Sequence, residues 1–215
     1  MALQKDEIRK IIENKGKISF RNNPSGRQAN ISTGITDTIV ETNYTKSSLT
    51  VNVGSNEIIV ARADNSNTDN NCIDVQTIDA LATAGSVRMP GYVYTGNFSG
   101  CVFYLYRTGP NEVTGVHAYS GSQPVYGKNG FFGKKKVIGQ AVREFSPQDY
   151  FKRNPAQLIC RYPTRQELDL STGEQSLSFL SCVENNTATT YLFSAKGAGT
   201  GAQICRLIRA YHVRF

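Results

Sequence analysis

The chain has 215 residues, a hydrophobic fraction of 39% that suffices for one core, and 24 Lys and Arg against 17 Asp and Glu, a net charge of +7. It has no apolar run of about 18 residues to form a membrane-spanning helix, and its opening MALQKDEIRKIIENKGK is too charged for a Sec-type signal core. The five cysteines are odd in number and form no C-x-x-C pair, and two histidines cannot build a multi-histidine centre, so neither a disulfide framework nor a metal is expected.

Ile8, Ile11 and Ile12 recur at helical spacing among charges and predict an amphipathic helix over residues 4–14. After a polar, turn-rich stretch, TDTIVET allows one short strand, and SLTVNV-GSN-EIIVAR reads as a hairpin. DVQTIDALATAG reads as a helix ending before Gly85, and YVYTGNFSGC follows it. CVFYLYR and VTGVHAYSG form a second hairpin around TGPNE. SPQDYFKR carries a helix start, with Ser146 as N-cap and Pro147 in the first turn. AQLICRYP, SLSFLSCVE and TTYLFSAK are strand-like, whereas QICRLIRAYHVRF fits both a strand and a helical face through Ile204, Leu207, Ile208 and Tyr211. These elements imply an α+β fold: β-sandwich-like mixed sheets with a few peripheral helices, in a single domain spanning residues 1–215.

Three motif look-alikes carry no chemistry. GAGTGA at 197–202 has no acidic residue about 20 positions on to hold a ribose and reads as a hairpin loop. GNFSG at 96–100 sets Ser99 off centre for a nucleophile elbow, and GFFGKKK lacks the Gly-Lys-Ser/Thr of a phosphate loop. No cofactor is therefore expected.

The second hairpin holds the one promising constellation. If TGPNE is its loop, paired positions put Phe103 opposite His117 and Cys101 opposite Tyr119. Cys101 and His117 then lie diagonally on one face of the sheet, with β-carbons about 7 Å apart or less. A one-residue slip would separate them onto opposite faces. A histidine beside a thiol can take its proton, and Thr95, six residues before the cysteine, can loop back to orient the imidazole. Backbone amides around Ser99, Gly100 and Cys101 are candidates for an oxyanion site. The competing reading is plain packing, since cysteine is among the most buried residue types. Cys160, Cys182 and Cys205 lie in apolar strand patterns and read as core, Cys72 reads as a loop residue, and His212 as part of an edge strand.

Ser99-Gly100-Cys101, a strand, Gly109-Pro110 and a return strand with His117 together resemble the glutamine deamidase toxins of the Burkholderia lethal factor type. That group is related in active-site layout to the cytotoxic necrotizing factor catalytic domain and the chemotaxis receptor deamidase. Thr95 has the spacing of the family's threonine; Phe98 stands where the family has leucine, and sixteen residues from Cys101 to His117 is a few more than usual. The motif covers about residues 95–118.

The resemblance implies a secreted bacterial effector that acts in the host cytoplasm and deamidates a glutamine of a host protein through Cys101, His117 and Thr95. A translation-initiation helicase or a Rho-type GTPase is the implied target. The short Gly/Asn/Ser loop and the absence of a cofactor motif add the expectation of a shallow site where a sheet ends, suited to a side chain of a folded protein partner; a monomer is expected, with no membrane or nucleic acid involved. The alternatives are a cysteine hydrolase or transglutaminase-like enzyme that uses the same groups, and a non-catalytic basic β-sandwich binding module.

Overall fold

The computed structural model describes residues 3–21, 39–40, 44–62, 70–76, 82–98, 100–128, 135–144, 147, 151, 156–164, 177–196 and 202–215. One helix, α1 (Lys5–Glu13), precedes the strands β1 (Lys17–Arg21), β2 (Ile39–Val40), β3 (Tyr44–Asn52), β4 (Glu57–Arg62) and β5 (Cys72–Val75). Next come β6 (Ala82–Arg88), β7 (Gly91–Phe98), β8 (Val102–Gly109), β9 (Glu112–Ala118), β10 (Ser120–Lys128) and β11 (Lys135–Glu144). The chain continues through β12 (Gln157–Pro163), β13 (Leu177–Glu184), β14 (Thr187–Lys196) and β15 (Gln203–Arg214).

Eight strands close a barrel in the order β1-β15-β14-β13-β7-β5-β3-β4. A separate five-stranded sheet runs β12-β8-β9-β6-β2, and β10 pairs with β11 as a ribbon. This corrects the α+β sandwich expectation: among the described residues strands dominate and there is a single short helix, and the strands are built around a closed barrel.

The expected N-terminal helix is α1, whose Ile8, Ile11 and Ile12 bury against barrel side chains such as Tyr92, Leu180 and Tyr191. Tyr191 donates its hydroxyl hydrogen to the Lys5 carbonyl at 2.8 Å, and Lys5 pairs with Glu184.

No described part of DVQTIDALATAG is helical: Asp74 and Val75 end β5, and Ala82 begins β6, while residues 77–81 lie outside the described residues. Helix-favouring alanines yield there to ladder pairing, since β6 is hydrogen-bonded to β9 along its whole length. For SPQDYFKR only Pro147 and Phe151 are described; the Phe151 amide donates to the Pro147 carbonyl at 3.3 Å.

The ambiguous C-terminal segment is the strand β15. Its helix-like spacing comes from a bulge: the β14–β15 register shifts between Leu192 and Phe193, leaving Ile208 as the extra residue. Leu207 and Ala210, three apart, therefore both meet the inner cluster, and Ile208, Tyr211 and Val213 the outer one.

The barrel's outer wall packs on the five-stranded sheet. Val93, Phe98, Leu177, Phe179 and Leu192 of the barrel share one apolar cluster with Cys101, Phe103, Leu105, Val113 and Ile159 of the sheet side. The two layers approach closely at Gly115 of β9, where an added β-carbon would overlap Val93 Cγ1. Valine is stiff at χ1 and has little room to yield. Gly115→Ala is thus expected to lower stability by about 1–3 kcal/mol, measured by denaturant unfolding. An unchanged midpoint would show that the layers sit further apart than this geometry requires.

Candidate functional site

The β7 segment TGNF carries a bulge. The β13–β7 register runs from Phe179 opposite Thr95 to Leu177 opposite Phe98, so β7 carries one extra residue. Alternation alone would turn Thr95 and Phe98 to opposite faces, and the bulge brings both to the same side. That side faces His117.

His117 sits on β9 opposite Phe103, in the register expected from the hairpin loop. Its Nδ1 lies 3.0 Å from the Thr95 hydroxyl oxygen, and its ring stacks on Phe98 with centroids 3.8 Å apart and planes 20° from parallel. The hydrogen bond crosses from sheet to barrel. By contrast, Thr189 and His212, also linked at 3.1 Å, are direct neighbours on the paired strands β14 and β15. The first contact joins two layers; the second is ordinary cross-strand pairing. If the Nδ1 hydrogen is donated to Thr95, Nε2 keeps its lone pair for proton transfer.

His117 is 1% exposed, and burial alone pushes its pKa down from 6.5 to about 3. The imidazole is therefore neutral at physiological pH, which suits a base that takes a proton during attack and does not suit a preformed imidazolium–thiolate pair.

Cys101 directly precedes β8. The last pair of that ladder joins Val102 to Ala118, so Cys101 falls one position beyond it, on the face of Phe103 and His117. It belongs to the same cluster as Phe98 and Phe103. The backbone turns into the strand at Gly100, whose φ of +121° is one that glycine adopts without strain and side-chain-bearing residues do not.

Thr164, fully buried just past β12, holds this turn. Its hydroxyl accepts the Gly100 N–H at 3.2 Å and donates to the Cys101 carbonyl at 2.7 Å, and its own amide donates to that carbonyl at 3.1 Å. The Gly100 amide is thus committed to Thr164, and an oxyanion would have to displace that contact to use it. Ser99 lies outside the described residues. Thr164 went unnoticed in the sequence, where a threonine after a strand-ending proline resembles any turn.

Thr95, Cys101 and His117 are 0%, 4% and 1% exposed. The site is closed, not the shallow opening expected. All five cysteines are buried and outside any disulfide. Cys72, expected in a loop, lies fully buried in β5 because its neighbours Ser47 on β3 and Tyr92 on β7 enclose it in the barrel ladder. Burial pushes the thiols of Cys160 and Cys205 up to about 12 and those of Cys72 and Cys182 upward as well, so these four are protonated and inert at neutral pH. His212 is exposed on β15, at a point where the recorded pairing is with β14 and the pairing with β1 covers only Gln203 and Ile204.

No residue group suited to hold a metal ion occurs among the described residues. No protein-family model matches the chain, and no curated protein matches it.

Proposed function

We propose that the protein is a cysteine-dependent amidohydrolase that converts a glutamine side chain of a partner protein to glutamate. The observation that carries this reading is the 3.0 Å contact between Thr95 and His117, made across two layers beside the turn that presents Cys101. In this reaction the Cys101 sulfur attacks the carboxamide carbon as its proton passes to His117 Nε2. The imidazolium then protonates the leaving ammonia, and a water, deprotonated in turn by His117, hydrolyses the thioester. Thr95 holds the imidazole in the tautomer that this proton traffic needs.

The resemblance to the lethal-factor-type deamidases adds a class of target, a host protein modified by a bacterial effector. The net charge of +7 favours encounter with an acidic protein surface. Because Cys101 and His117 are buried, a carboxamide reaches the sulfur only after the covering residues move.

The same burial favours a second reading, in which the pair is packing within a binding module. Intact-mass analysis separates the two. Incubation with candidate translation helicases and Rho-type GTPases is expected to raise the mass of one of them by the change from amide to acid, at a single glutamine, with ammonia released and no chain cleavage. Unchanged masses together with a Cys101 that resists iodoacetamide at neutral pH would assign the site to packing.

A further inference from the structure

We infer that Thr164 is a positioning residue for the Cys101 nucleophile. This rests on the reading of Cys101 as the reacting group.

The clamp has three contacts: two hold the carbonyl of the peptide that follows Cys101, and one holds the amide of Gly100, the residue before it. The hydroxyl of Thr164 accepts from Gly100 N–H and donates to the Cys101 carbonyl, while its amide donates to the same carbonyl. Gly100 gains from such a restraint: at φ +121° it has no β-carbon to limit its motion, and among the described residues beyond its chain neighbours an added one would meet the Ser120 carbonyl at 3.9 Å. Thr164 supplies that restraint through hydrogen bonds. The anchor is rigid, because Pro163 pairs with Val102 across the β12–β8 ladder and Thr164 is wholly buried.

The direction of the thiol follows from that peptide. The Cys101 carbonyl is drawn toward β12, so the Cα–Cβ bond is directed by the same hydrogen bonds. Thr164 itself touches no reacting atom in this scheme. Its effect passes through the Gly100–Cys101 backbone, and a displacement of about 1 Å at the sulfur is enough to cost about a hundredfold in rate.

The test compares Thr164→Val, which keeps the shape and the amide bond but loses both hydroxyl contacts, with Thr164→Ser, which restores them. The probe is iodoacetamide, with Cys101 alkylation followed by peptide mass spectrometry from pH 6 to 9. Folding is checked by circular dichroism, and turnover of any identified target is measured alongside. In Thr164→Val, Cys101 alkylation is expected to change by about tenfold or more with an altered pH profile, and kcat to fall with KM little changed. Thr164→Ser is expected to stay within about threefold of the parent chain in both. A folded Thr164→Val with the parent's alkylation profile overturns the inference, as does a folded Thr164→Ser that shifts as far as the valine variant. If the alkylation shift and its rescue appear while no protein is deamidated, the positioning role stands and the deamidase reading falls.

Discussion

Cys101→Ser is expected to reduce deamidation by roughly a thousandfold or more while the fold persists, because a serine hydroxyl at this position is far less acidic than a thiol. The informative control is Cys160→Ser. Both residues are buried in the same apolar cluster, at 4% and 8% exposure. Burying a hydroxyl in place of a thiol should therefore lower the stability of each variant by a similar amount, about 1–3 kcal/mol. Only the change at residue 101 should remove activity, since Cys160 lies on β12 with its thiol pushed up to about 12. Parallel measurement of unfolding midpoints and deamidation rates checks this. Equal loss of activity in both variants would tie turnover to packing and remove Cys101 as the nucleophile.

The second large effect is on acid stability. His117 is held neutral by burial, with its pKa lowered from 6.5 to about 3, whereas in the unfolded chain it takes up a proton near 6.5. Above pH 6.5 neither state is protonated and the contribution is fully present. As pH falls below 6.5 the unfolded state binds one more proton, and stability drops by about 1.4 kcal/mol per pH unit. The loss continues to near pH 3, for a total on the order of 4 to 5 kcal/mol.

His117→Gln retains a partner for Thr95 and cannot titrate, so its unfolding free energy should fall less steeply over this window. The carboxylates titrate in both chains, and the difference between the two denaturation series isolates the imidazole. The free-enzyme kcat/KM should likewise show no acid limb near pH 6.5 from this residue. Parallel stability curves for parent and variant between pH 7 and pH 4 would mean that His117 is not buried neutral.

Much of the site was legible because short-range patterning sets it. Centring the hairpin on TGPNE pairs Arg107 with Val113 and so puts Phe103 opposite His117 and Cys101 on the same face; the turn itself pairs Gly109 with Glu112, and the irregularity at Thr108 that restores the expected register has no signal in the sequence. The six-residue spacing of Thr95 from Cys101 was visible too. The mode of approach was not: Thr95 meets His117 from a neighbouring layer, and its orientation depends on the β7 bulge, for which TGNF gives only a weak glycine signal. Thr164 lies sixty-three residues beyond Cys101 in the chain, and no local pattern links them.

What the sequence by itself determined is the amphipathic α1, both hairpins, the burial of Cys160, Cys182 and Cys205 and the Cys101–His117 face, all products of side-chain periodicity over a few residues. The barrel closure was decided only in three dimensions. Parallel pairings of β1 with β4 and of β5 with β7 join segments far apart in the chain, and their hydrogen bonds leave no periodic trace distinct from that of a sandwich strand. Tertiary packing also turned an alanine-rich stretch into β6, gave β15 its helix-like spacing through a bulge, and lowered the His117 pKa by enclosing it between two layers. Each of these depends on how a strand is paired and what packs against it, and the residues of the segment itself carry no record of that neighbour.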